Sequence, residues 1–233
     1  MEMYNNHNLK GINIKMDYEE IPHEDYLEMF DKILEDFKDF FEEPIIYQDR
    51  NYNITSKVNK DEINVKLEPC AIFKKEDKIQ LLFKNETILF DFNGVYYNNY
   101  EESLNPCLDK IITILNKYNI NTLFSINLRY VNEINDYDNE KIIKDEYDNV
   151  KKENNLIQSI NTKIYKENQV DIIVNFGLVN SNEDIFNFII DIQGILDNKI
   201  EVSDLKENIV VIHKKIEYYF NEIISKEFKE RMR

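Results

Sequence analysis

"INLRYVNEI", residues 126–134, alternates apolar and polar side chains, as a β-strand with one face on a core does. Extended backwards, it places Phe124, Ile126, Leu128 and Tyr130 on one face. Ser125, Asn127, Arg129, Val131 and Glu133 fall on the other. Asn132 then lands on the apolar face, which points to a bulge or a strand end there. An arginine at the centre of such a strand is either part of a binding site or one member of an ordinary polar sheet face.

The opening of this strand has a counterpart earlier in the chain. "INIKM" (12–16) matches "INLRY" (126–130), with Lys15 in the place of Arg129. "ILFDFNG" (88–94) likewise matches "FIIDIQG" (188–194): three apolar residues, Asp, one apolar residue, an amide, then Gly. A helical pattern follows each closing motif. The two pairs in the same order predict a duplicated strand–insert–three-strand–helix unit, over about 9–118 and about 120–230, in one pseudo-symmetric domain.

Apolar spacing fills in the elements. "IPHEDYLEMFDKILEDFKDFF" (21–41) reads as an acidic helix with a stripe of Tyr26, Leu27, Phe30, Ile33, Leu34, Phe37, Phe40 and Phe41; Pro22 suits its first turn and Pro44 its stop. Strands follow over 45–94, with Pro69 interrupting one and a hairpin around Asn85-Glu86. A second helix is expected over 98–118, and 135–155 is a polar loop or short surface helix. Strands at 156–167, 170–179 and 185–193 lead to a last helix beginning at Ser203, read as its N-cap, and fraying in its final turn. The expected fold is α+β: an antiparallel sheet with helices packed on one face.

Composition narrows the function. The 233 residues suffice for a sizeable core, 42% being apolar. Ala71 is the single alanine and there are four glycines, against many Asn, Ile, Lys, Tyr and Phe. That bias resembles a genome poor in G and C, gives the asparagines little functional weight, and argues against glycine-rich phosphate loops. Cys70 and Cys107 read as incidental thiols of a reducing compartment. "MEMYNNHNLK" lacks an apolar signal region, and no apolar run reaches membrane-spanning length, so a cytoplasmic location is expected.

The net charge of −16 has one main source: residues 17–43 carry 12 acids and two bases. Such a surface repels a phosphate backbone, so no direct nucleic-acid contact is expected, and no membrane. A protein partner with a basic surface fits better. Glu24, Glu28, Asp31, Glu35, Asp39 and Glu42 make the expected partner-binding acidic face, although a solvated helix face would look the same. Whether the chain forms a homo-oligomer stays open.

Three constellations could carry chemistry. Asp91 and Asp191, repeat mates at strand ends, could share a divalent metal or acid–base work, with His213 as a base. The plainer reading has each Asp bonding backbone at a turn before Gly94 or Gly194, and His213 packing at a helix edge. Arg129, Asn127, Tyr97 and Tyr100 could line a pocket for an anionic ligand, since a guanidinium fork suits carboxylate or phosphate. The plainer reading pairs Arg129 with Glu133 or with a carboxylate on an adjacent strand. His7, His23 and His213 share no metal-ligand spacing and neither Cys has a CxxC partner, so no metal and no cofactor are expected.

Residues 77–233 resemble a sporadically distributed family of uncharacterised bacterial and archaeal proteins of about 250 residues. The resemblance lies in Tyr97 and Tyr100 after a hairpin, in the Leu128–Ile134 strand, and in His213 before the run Phe220–Ser225. It departs at "NGVYYNNYEE", where members often carry Trp, and at Ser225, where Thr is usual. The resemblance brings no established activity. Its patchy distribution implies a genetic-conflict setting, of defence or counter-defence. The expected function is a non-enzymatic interaction module, an inhibitor or an antitoxin-like or chaperone-like partner. The alternative is a metal-dependent nuclease or phosphodiesterase built on the paired carboxylates.

Overall fold

The computed structural model describes residues 9–57, 60–76, 78–94, 104–135, 142–144, 158–182 and 185–232. Among these residues there are ten strands: β1 (Leu9–Tyr18), β2 (Ile45–Lys57), β3 (Lys60–Lys75), β4 (Ile79–Lys84), β5 (Thr87–Asn93), β6 (Thr122–Ile134), β7 (Gln158–Glu167), β8 (Val170–Asn182), β9 (Ile185–Leu196) and β10 (Ile200–Glu201). The helices are α1 (His23–Phe37), α2 (Asn105–Lys117), α3 (Leu205–Ile223) and α4 (Lys226–Met232). The strands form one antiparallel sheet in the order β2-β3-β4-β5-β1-β6-β9-β8-β7, with β10 beside β6.

The fold is α+β, with the helices on one face of the sheet. Even-numbered residues of β1 (Ile12, Ile14, Met16) and of β6 (Ile126, Leu128, Tyr130) are buried under that layer. So are Tyr26, Met29, Phe30, Ile33 and Phe37 of α1, and Leu205, Ile209, Ile212, Ile216, Tyr219 and Ile223 of α3. A single apolar cluster runs through both halves. Leu27 departs from the expected α1 stripe: it is exposed, and Met29 takes an inner place.

Local chemistry explains the joints. The β4–β5 hairpin turns at Asn85-Glu86, with Glu86 in the left-handed region (φ 75). The buried Asn85 amide accepts from the Ile21 N–H at 3.0 Å and donates to the Ile21 carbonyl at 3.0 Å and to Glu68 at 3.1 Å. It thereby fixes the entry to α1. Pro69 lies inside β3 rather than ending it, but β3 pairs with β4 only from Ala71 onward. Pro69 has no N–H to give.

Ser203 does not cap α3. It sits in a 3-10 turn (Val202–Asp204), and Asp204 is the N-cap. The C-terminal pattern does not fray either. Ile224 turns extended and bridges Ile143, and Ser225 restarts the helix by accepting the Phe228 N–H at 3.0 Å. A Ser or Thr at 225 therefore has a capping role that either residue fills. Of the polar insert, residues 142–144 form this bridge; residues 136–141 and 145–155 lie outside the described residues.

Bulges adjust β6. Ser125 faces Asp17 and Leu123 faces Tyr18, so Phe124 is squeezed onto the uncovered face, 47% exposed, instead of the apolar one. The irregularity expected at Asn132 lies opposite it, where Lys10 is skipped between Leu9 and Gly11.

The strand order is mirrored about the β1–β6 seam: β5 answers β9, β4 answers β8, and β3 answers β7. Ile12 faces Tyr130, Ile14 faces Leu128 and Met16 faces Ile126, a register that a two-fold rotation exchanging 12–16 with 126–130 reproduces. The closing motifs do not obey that rotation. Ile12 faces Phe92 on β5, whereas Ile126 faces Leu196 on β9, so the matched motifs are four residues out of step. Gly94 directly follows β5, but Gly194 lies within β9 with Ile212 of α3 against it.

Candidate functional site

The uncovered sheet face carries four of the residues singled out by sequence, Asp91, Asn127, Arg129 and Asp191. One cross-strand row reads Lys74–Gln80–Asp91–Asn13–Arg129–Gln193–Ile173–Ile164 from β3 to β7. The neighbouring row reads Ile45–Ile72–Leu82–Leu89–Lys15–Asn127–Ile195–Asp171–Lys166. Strand alternation alone aims these side chains away from the core.

Arg129 is held by Asp191. Its Nε donates to Oδ1 at 2.8 Å and its Nη2 to Oδ2 at 2.9 Å, a two-pronged ion pair. Asn175 adds a long contact to Oδ2 at 3.4 Å and itself accepts from Thr162 at 2.8 Å. The bonded carboxylate holds the guanidinium pKa above its ordinary value. A candidate carboxylate of one hypothesis thus occupies the candidate anion-binder of the other. Glu133 instead takes Lys10 at 3.1 Å and the Asn187 amide at 2.5 Å.

The other carboxylates are also engaged. Asp91 accepts from Asn13 at 2.7 Å, and Asp17 accepts from Lys15 and Thr87 at 2.7 Å and from Ser125 at 2.8 Å. Burial opposes ionisation of Asp17, but these three donors outweigh it and hold the carboxyl below its usual range. The centre of the face is a knit of satisfied polar groups. Asn127 is the exception: its Oδ1 is buried with no hydrogen-bond partner among the described residues.

Two sequence expectations need correction. Asp91 and Asp191 do not converge: β5, β1, β6 and β9 are successive strands, three steps alone span about 14 Å, and Asp91 is level with Gln193 rather than Asp191, which adds a further offset along the strands. That exceeds the reach of two carboxylates to one metal ion. Among the described residues neither bonds backbone at a turn; each bonds a side chain on a neighbouring strand. His213 cannot join them, because it lies beneath the opposite face, its ring 5.4 Å from that of Tyr130. Burial pushes its pKa down, against a weaker upward pull from Glu217, and its Nδ1 has no partner among the described residues. Packing at the α3 edge describes it. Among the described residues, no group of three or more His, Cys, Asp or Glu could hold a metal ion. Tyr97 and Tyr100 lie outside the described residues, so only Arg129 and Asn127 of that constellation are seen together.

On the helical side, the six acids expected to make the partner-binding face, Glu24, Glu28, Asp31, Glu35, Asp39 and Glu42, are all exposed. Glu42 accepts the Glu76 N–H at 2.8 Å, where Glu76 has positive φ. The other five, Glu24, Glu28, Asp31, Glu35 and Asp39, make no ion pair among the described residues, while nearby Asp36 takes Lys117 at 3.3 Å. Sequence reading missed the Asp17 cluster, and it missed the buried Glu68 with Asn85 and His23 (3.6 Å). Both depend on strand register, for which one sequence carries little signal.

No protein-family model matches the chain, and no curated protein matches it. Among the described residues no helix is long and apolar enough to cross a membrane.

Proposed function

We propose that the protein is a non-enzymatic interaction module whose α1 acidic face engages a basic surface on a protein partner. What supports this reading is a contrast in how charge is handled. The carboxylates of the uncovered sheet face, Asp17, Asp91, Asp191 and Glu133, are each bonded to a neighbour. Those of Glu24, Glu28, Asp31 and Glu35 follow one another along α1, and Asp39 lies in the turn just after it; none makes an ion pair among the described residues, and each like-charged pair on the helix costs a few tenths of a kcal/mol. Solubility alone asks for fewer charges than this. A basic partner would relieve the repulsion and gain association speed from it.

An inhibitor, antitoxin-like or chaperone-like role in a genetic-conflict system is the biological form of this proposal, and it rests on the family resemblance of residues 77–233. We also read the two halves as a duplicated unit whose closing strands have slid by four residues; the mirrored strand order and the seam register support it.

Carbodiimide, which joins carboxylates to lysines in direct contact, should link these five residues to the partner. The combined variant Glu24→Gln, Glu28→Gln, Asp31→Asn and Glu35→Gln should then weaken the complex and flatten its salt dependence. Unchanged affinity with an unchanged salt slope would return α1 to a solvated face.

A further inference from the structure

The sheet ends at β7, and the way it ends suits a second copy of the chain. β7 pairs with β8 without interruption from Gln158–Val179 to Glu167–Val170. Among the described residues no strand pairs with its outer side. Alternate residues of that side therefore present N–H and C=O groups outward over about 33 Å. The segment "QSINTKIYKE" has no Gly or Pro to break it.

This edge is held in place. On the helical face, Tyr165 lies on Tyr219 with ring centres 4.3 Å apart, and Glu167 accepts from Lys215 at 2.5 Å and from the Tyr219 hydroxyl. On the other face, Ile160 is 48% and Ile164 63% exposed, the latter the most exposed large apolar side chain among the described residues. Charge does not oppose pairing at this strand. In a chain of net −16, its ten residues carry two lysines and one glutamate. Two copies approaching here meet no local excess of acid on the strand itself.

We propose that two copies associate by antiparallel pairing of β7 with β7, around a two-fold axis at Thr162, so that one sheet runs through both. Register selects this axis. In a continuous sheet a residue must face one on the same side of the pleat, so the axis passes through a residue. At Thr162, Ile160 meets Ile164 of the second copy twice over, Asn161 meets Lys163, Ser159 meets Tyr165, and Gln158 meets Lys166. No like charges oppose one another, and apolar partners face apolar partners. An axis one residue later sets Lys163 against itself and Ile160 against Lys166. Thr162 leaves room at the axis, since its hydroxyl donates to Asn175 of its own chain at 2.8 Å.

A cysteine placed on the axis tests this directly. Residues facing across antiparallel strands have Cα atoms about 4.5–5.5 Å apart, within disulfide range. Thr162→Cys should therefore form a covalent dimer under mild oxidation. Ile164→Cys should not, its facing residue being Ile160. Cys70 and Cys107 are buried and do not compete. Unmodified protein should sediment as a dimer that strengthens with added salt, while Ile164→Lys should be a monomer with an unchanged circular dichroism spectrum. Hydrogen exchange of the unmodified chain supplies a check free of mutation: β7 amides should gain protection as protein concentration rises. A chain that stays monomeric at high concentration, or a dimer in which Thr162→Cys does not cross-link and β7 amides gain no protection, overturns the proposal.

Discussion

Arg129 and Asp191 decide how the uncovered face behaves at the scale of single residues. Their two-pronged pair is half open to water, with side-chain exposures of 45% and 13%. Removing the carboxylate charge therefore leaves an arginine that water can still solvate. Asp191→Asn should cost about 1 kcal/mol, or about 2–4 °C in melting temperature for a chain of this size. Asp91→Asn should cost less, because Asp91 is exposed and bonded to one neutral amide. Equal losses in thermal melts would mean that the ion pair adds nothing beyond a neutral hydrogen bond. His213 offers a pH test. Its folded pKa lies below the ordinary histidine value, so the unfolded chain protonates first as the pH falls through about 6.5. Stability should decline from there until the folded group itself protonates, and be unaffected at higher pH. Urea midpoints of His213→Gln, taken above and below pH 6.5, should show a smaller acid loss than those of the parent chain.

At the scale of elements, the seat of α3 on β9 depends on Gly194. A Cβ there would lie 2.4 Å from Ile212 Cγ2 and 3.2 Å from Ile172 Cδ1. Gly194→Ala should therefore destabilise by about 1–3 kcal/mol through overpacking. Adding Ile212→Ala should cost less than the sum of the two single changes, because the second makes the room that the first requires. Additive losses in denaturant titrations would show that α3 simply lifts away. Gly194 also illustrates what the sequence conveyed. Period-two alternation and helical stripes told which face of β6, α1 and α3 is inward, because burial is written into residue type. The likeness of "ILFDFNG" to "FIIDIQG" did not tell where those strands pair, since register is set by turns and packing far from the motif. The Arg129–Asp191 partnership and the seclusion of His213 behind the sheet follow from register and layer, and so were legible only as alternatives. The acidic face of α1, which needs no register, was legible residue by residue.

At the scale of the whole molecule, β1 has a consequence for biosynthesis. It lies at the centre of the sheet, yet both its neighbours, β5 and β6, come much later in the chain. On the ribosome, β1 is made long before anything exists to flank it, and Ile12, Ile14 and Met16 wait without a cover. The seam between the halves closes only when β6 has emerged, with Leu128 finding Ile14 across the sequence. Loop-closure entropy makes so distant a pairing slow. The nascent chain therefore carries an incompletely flanked apolar strand until β6 ends at Ile134, a state in which chaperones compete with aggregation.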